Sequence, residues 1–345
     1  MKRSLIALLG AALVSCAVTT ASAASANWKL ALQAWTFNKD TFCDTVDKAK
    51  ELGLKYIEAF PGQVIGGGME GKLTPDLDVA TQKKVLAKLK SAGVTLMNFG
   101  VTGAKDEAGW TKLFEFAKAM GIETIVSEPA PEQMPLVDKL ANKYKINVAI
   151  HNHPEPSRYC NPDAVLAAIK GCSKRVGACA DTGHWVRSGL CPLASLKKLQ
   201  GHIISLHLKD LNEKARKAHD VPWGSGISNA GALLAEMKRQ GFSGVFAIEY
   251  EHTTPHLMCD VKKCVCYFNN AAPLSEKDLL AGKALPGGFT WKPEDIWAGV
   301  KPDAAGKWDD SMMKIAAQPP APEQKSKKEI KKEMKKEKKK DKKQK

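Results

Sequence analysis

Leu30-Ala31-Leu32-Gln33-Ala34-Trp35-Thr36-Phe37-Asn38 is the first of eight short apolar runs, and the way it ends decides the fold. A doubly wound open sheet usually follows its first strand with a glycine-rich phosphate-binding turn. No glycine stands between Gln33 and Asn38. The remaining strand-like runs are 56–60, 95–100, 124–127, 148–152, 176–180, 203–208 and 245–250. Between them lie amphipathic stretches: 41–52, with Phe42, Val46, Ala49 and Leu52 at helical spacing, then 82–92, 110–120, 134–144, 162–169, 192–199, 230–240 and 260–268. Gly53, Gly93, Gly121 and Gly241 read as helix stops. Strands alternating with helices imply parallel strands joined by crossovers. Eight such units over about 240 residues fit a (β/α)8 TIM barrel.

The barrel is expected over 27–270, with other material on both sides. Met1-Lys2-Arg3, the apolar run 5–14 and Ala21-Ser22-Ala23 read as a signal peptide over 1–23. Leu13-Val14-Ser15-Cys16 also resembles a lipobox, in which Cys16 would be lipidated. Either route places the mature protein outside the cytoplasm, in the periplasm or on a lipid anchor. Residues 271–324 are rich in Pro, Gly and Ala and read as an irregular extension, packed through Trp291, Trp297 and Trp308. Residues 325–345 hold 13 lysines and 4 acids. Their i,i+4 acid spacing suits a solvated single helix or a disordered tail, either free or touching an anionic surface.

The chain's net charge of +15 sits largely in that tail, so it is no evidence that the fold binds nucleic acid. Eight cysteines follow Cys16. Their spacing matches no zinc motif, and they are expected to be mostly buried thiols with one or two bridges.

In such barrels the chemistry lies at the C-terminal ends of the strands. Those ends carry Glu58, Glu128, His151-Asn152-His153, Asp181-Thr182-Gly183-His184, His207-Leu208-Lys209-Asp210 and Glu249-Tyr250-Glu251-His252. So many ionisable groups in one mouth would be costly unless compensated. A divalent cation resolves this, because carboxylate oxygens and imidazole nitrogens are its natural ligands. The mixed donors suit Mn, Zn, Co or Fe better than an all-oxygen calcium site, with Mg kept among the candidate ions.

Asp181-Thr182-Gly183-His184, followed by Ser205-Leu206-His207-Leu208-Lys209-Asp210 and Ile248-Glu249-Tyr250-Glu251, resembles the xylose-isomerase-like TIM barrel superfamily, and within it the bacterial sugar phosphate isomerase/epimerase family. The resemblance covers roughly 28–270. It implies one divalent metal and proton transfer at a carbon beside a sugar carbonyl. It carries over Asp181, His207 and Glu249 as metal ligands. Family epimerases place a glutamate at the end of strand five, as ligand and base, whereas here His151-Asn152-His153 stands there. Glu128 is expected to replace that glutamate as fourth ligand, ahead of His151.

The expected reaction is isomerisation or epimerisation of a keto sugar through a metal-stabilised enediolate. His151 or His153 would be the base and Glu249 a further catalytic group. His184, Lys209, Glu58 and Trp223 would bind substrate, with Trp35 and Phe60 as further pocket candidates. The histidine pair also suits a lyase or hydratase acting on 3-keto-glycosides. A third reading is an exported, non-catalytic sugar-binding protein. The DNA-repair endonucleases of the same superfamily need further histidines on strands two and three, where Glu58 and Asn98 stand. The expected partner is a small carbohydrate.

Overall fold

The computed structural model describes residues 27–284. Residues 1–26, where a signal peptide is expected, residues 285–324 with their three tryptophans, and residues 325–345 lie outside the described residues.

Eight parallel strands close into a barrel: β1 (Lys29–Gln33), β2 (Tyr56–Ala59), β3 (Thr95–Thr102), β4 (Thr124–Ser127), β5 (Asn147–His151), β6 (Val176–Asp181), β7 (Ile203–Leu208) and β8 (Val245–Ile248). Each pairs with its sequence neighbour, and β1 closes on β8 with Lys29 opposite Val245. All eight expected strands are present. β1 ends at Gln33, where residues Ala34–Phe37 turn into a short 3-10 helix.

The apolar runs lack polar alternation because both faces are buried. Leu30, Leu32 and Ile57 pack outward under the helices, while Ala31, Met97, Val245 and Ala247 form an inner layer of their own. Helices α1 (Phe42–Glu51), α2 (Val79–Ala92), α3 (Glu107–Met120), α4 (Met134–Tyr144) and α5 (Pro162–Ile169) follow the first five strands as expected. Thr41 and Asp44 form a capping box at the start of α1. Gly93 and Gly121 end α2 and α3 in the left-handed conformation that glycine adopts without steric cost.

Beside a two-stranded ribbon of Asp210–Leu211 and Asp220–Val221, three further elements were not anticipated. One is a small hairpin of Val64–Gly66 and Met69–Lys72 after β2. The second is α6 (Thr182–Arg187), which springs directly from β6 ahead of α7 (Pro192–Lys198). The third follows α8 (Ala230–Arg239) and α9 (Leu257–Ala271). Residues 271–284, read as the start of an irregular extension, hold α10 (Glu276–Leu280), whose Leu279 is buried in the main core.

The eight cysteines among the described residues are free thiols, so the expected bridges do not form there. No helix among them is long and apolar enough to cross a membrane.

Candidate functional site

Strand register builds the site. Gln33 pairs with Glu58, Glu58 with Asn98, and Asp181 with His207, so these side chains rise from neighbouring strands at one level of the barrel. Asp181 is held on three sides. Its backbone N–H donates to Asn152 Oδ1 at 2.8 Å, and its carbonyl accepts from Asn152 Nδ2 at 2.9 Å. Its Oδ1 caps α6 by accepting the His184 backbone N–H at 2.7 Å. That leaves Asp181 Oδ2, which is buried, accepts no hydrogen bond and is paired by charge with Lys209.

Nitrogens surround this oxygen. Lys209 Nζ lies 3.0 Å away, His151 Nε2 3.6 Å, His184 Nε2 3.7 Å and His207 Nδ1 3.8 Å. Glu249 Oε2 completes the ring, 3.0 Å from His207 Nδ1 and 2.8 Å from Lys209 Nζ. Burial opposes the charge on Asp181, but the neighbouring His184, Lys209 and His151 nitrogens hold its pKa well below the carboxylate range. Burial likewise opposes the Lys209 ammonium, and Asp181, Glu249 and Glu251 outweigh it. Gly183 makes room for that lysine, since a Cβ there would sit 2.8 Å from Lys209 Cβ.

These residues fit a divalent cation. Asp181 Oδ2 and His151 Nε2 are both buried without a hydrogen bond, Asp181 Oδ2 being met by the Lys209 ammonium as an ion pair, and both are metal-ligand atoms. Ligands about 2.1 Å from one ion lie ~3–3.5 Å apart, close to the separations here. His151, Asp181, His184 and Glu249 bring donor atoms within 4.8 Å of one another. The outer partners sort the imidazoles. Glu58 Oε1 accepts from His207 Nε2 at 2.8 Å, leaving Nδ1 toward Asp181 and Glu249. Glu128 Oε1 lies 3.4 Å from His151 Nδ1, leaving Nε2 toward Asp181. Carboxylates in this position set a ligating histidine's tautomer and basicity. His184 differs: its Nδ1 accepts from Arg187 Nη1 at 3.1 Å, so Nε2 carries the proton and is a donor. Burial, over the pull of Asp181 and with Lys209 nearby, keeps His184 neutral.

Two groups among the described residues could therefore hold an ion: His151, Asp181, His184 and Glu249 deep in the barrel, and Glu128, His151 and His153 farther out, with His207 beside the inner group at 3.0 Å from Glu249. Glu128 is engaged by His153 Nδ1 at 2.5 Å, the His153 N–H at 3.2 Å and Ser157 Oγ at 3.0 Å. His151 belongs to both groups and Glu128 to the outer one alone. His153 projects farther out, 47% exposed, and lines a cavity of about 280 Å³ with His184 and Glu249.

Three residues read as substrate contacts, Glu58, Lys209 and Trp223, lie off the cavity lining. Glu58 is fully buried and spends its carboxylate on Gln33, Asn98 and His207. Lys209 is fully buried and answers three carboxylates. Trp223 is a core residue near Phe268 and does not line the cavity. The glycines after it wrap Asp210, whose carboxylate accepts the N–H groups of Gly224, Gly226 and Ser228 at 2.8–3.0 Å.

Sequence reading missed two residues. Gln33, the polar end of β1, links Glu58 to the Trp35 backbone. Arg187 repeats the three-residue spacing of Asp181 and His184 along α6, and joins His184 to Asp220 and Glu251.

The family model for the xylose isomerase-like TIM barrel matches residues 46–270. An uncharacterised protein from Parabacteroides distasonis is 36% identical, with a TM-score of 0.58, over 70% of this chain and 97% of that one. A sugar phosphate isomerase/epimerase from the same organism is 17% identical, with a TM-score of 0.54, over 73% and 96%. A xylose isomerase-like TIM barrel protein from Mycobacterium smegmatis, solved in complex with magnesium, is 15% identical, with a TM-score of 0.55, over 68% and 94%. No curated protein matches the chain significantly. The length of the family match and the closed eight-stranded barrel beneath it make this chain a member of the xylose isomerase-like TIM barrel family.

Proposed function

We propose that this chain is a divalent-metal enzyme that moves a proton at a carbon beside a sugar carbonyl, and so isomerises or epimerises a keto sugar. The observation that carries the reading is the buried Asp181 Oδ2, which accepts no hydrogen bond and lies within reach of His151, His207 and the Lys209 ammonium, behind the His184 and Glu249 that line a cavity. Asp181, Glu249, His151 and His207 would hold the ion, which when bound supplies Lewis-acid stabilisation of an enediolate.

The chain's own groups do the rest. Glu128 holds His153 through Nδ1, which leaves the other ring nitrogen as a base at the cavity surface. His184, a neutral imidazole with its proton on Nε2, donates to the substrate oxygen that gains charge. Lys209 balances the carboxylates from behind the wall and keeps the site's net charge low. Asn152 and Glu58 fix Asp181 and His207 so that neither must reorganise during turnover.

A second reading has its own support. Strand five offers imidazole where the family epimerases carry a glutamate, and His153 is backed by a carboxylate. A single base of that kind also suits loss of a β-leaving group from a 3-keto-glycoside.

Incubation of metal-loaded protein with free ketoses and 3-keto-glycosides in D2O, followed by proton NMR, tests both. Deuterium at the carbon beside the carbonyl supports isomerisation or epimerisation. Release of the aglycone supports elimination. Binding with neither reaction would show a non-catalytic sugar-binding protein.

A further inference from the structure

The cavity has two unlike walls. One is polar: His153, His184, Glu249 and Glu251. The other is apolar: Trp35, Phe60, Pro61 and Val101. Trp35 is 43% exposed, one of few large apolar side chains left open to solvent among the described residues. It is also held rigidly. Its backbone N–H donates to Gln33 Oε1 at 2.7 Å, and its ring meets Phe60 edge-on at 5.0 Å and 82°. A flat, fixed, half-exposed aromatic face beside a polar wall is what an amphipathic ring requires. The same Gln33 donates to Glu58, which in turn holds His207. The stacking face and the ligand wall are thus tied through one side chain, so a ring on Trp35 has a defined position against His153 and His184.

The charge on the lining matters equally. The lining residues include two carboxylates and no lysine or arginine. Arg187 and Lys209 lie behind them, each already paired with carboxylates. A phosphate dianion in this cavity would face Glu251 and an aromatic wall, without the ammonium or guanidinium groups that normally receive it.

Building on the proton-transfer reading, we infer that the substrate is a neutral, unphosphorylated sugar whose apolar face stacks on Trp35, with a substituent leaving past Phe60 and Pro61, as a glycoside's aglycone would. The test uses unreactive ligands, so binding is read apart from catalysis. Metal-loaded full-length chain is titrated by calorimetry with methyl and phenyl glycosides of glucose, galactose and mannose. The corresponding sugar 6-phosphates, and 6-O-methyl controls that separate charge from bulk, are titrated alongside. At least one phenyl glycoside should bind more tightly than its methyl counterpart. Its 6-phosphate should bind at least tenfold more weakly than the 6-O-methyl control. Trp35→Ala should weaken the phenyl glycoside roughly tenfold, with metal content and Tm unchanged, and Trp35→Phe should restore most of the loss. A 6-phosphate that binds as tightly as its control, a Trp35→Ala variant with unchanged affinity, or no glycoside binding at all would overturn the inference. If the binding pattern holds and no proton is exchanged in D2O, the substrate class stands and the proton-transfer reading falls.

Discussion

Glu58→Gln isolates the claim that a buried carboxylate tunes a metal-ligating histidine. Glu58 Oε1 accepts from Gln33 Nε2 at 3.1 Å and from His207 Nε2 at 2.8 Å, and Oε2 accepts from Asn98 Nδ2 at 2.9 Å. In the variant the amide oxygen can take the Oε1 place and keep the first two bonds. The new NH2 then faces Asn98, whose Oδ1 is buried without a partner and can accept once the amide turns over. Shape and hydrogen-bond count survive, and only the charge is lost. Charge-assisted bonds exceed neutral ones by about 1 kcal/mol. Carboxylates behind ligating histidines are typically worth 10–100-fold in metal affinity, or about 1.4–2.8 kcal/mol. The expected result is a metal Kd raised 10–100-fold in competition with a chelator, with circular dichroism unchanged. An unchanged Kd would refute the Glu58–His207 coupling. Complete loss of metal from a folded variant would show that Glu58 is itself a ligand.

Other consequences are equally concrete. His153→Gln should keep its metal and lose roughly 10²–10⁴-fold in turnover, whereas His151→Gln should lose the metal, both read by elemental analysis beside kcat. Gly183→Ala should push Lys209 off its carboxylates and lower stability by about 1–3 kcal/mol in denaturant titrations. In the metal-free protein, burial opposes protonation of His151, but Asp181 and Glu128 raise its pKa from 6.5 to about 9. A raised folded-state pKa gives stability that is complete below pH 6.5 and lost as pH rises through about 9, here about 3 kcal/mol. Urea titrations at pH 6 and pH 9.5 with chelator should show that loss, and His151→Gln should reduce it, the remainder coming from His207, whose pKa the neighbouring Cys179, Glu58 and Glu249 also raise against burial.

The fold was legible because each strand is a short apolar run between amphipathic stretches, a local signal that needs no knowledge of contacts. The site was legible in part for the same reason. Asp181, His207 and Glu249 end strands, and strand ends converge in a closed barrel whatever the details. What escaped were contacts between distant segments. His207 meets Glu58 across 149 residues, and nothing near Glu58 marks it as a partner rather than a substrate contact. Lys209 and Trp223 look like ligand-binding residues by type, yet one is enclosed by three carboxylates and the other by the core. Which ring nitrogen of His151 faces Asp181 and which faces Glu128 is likewise something no sequence displays.

Metal stoichiometry bears most directly on the central claim. Full-length protein, stripped with chelator, dialysed against Mn, Zn, Co, Fe or Mg and desalted, would be analysed for bound metal alongside Asp181→Asn. The account predicts about one divalent ion per wild-type chain for at least one of these metals and none in the variant. Wild-type protein that stays metal-free with all five, or an Asp181→Asn variant that binds as well as wild type, would contradict it.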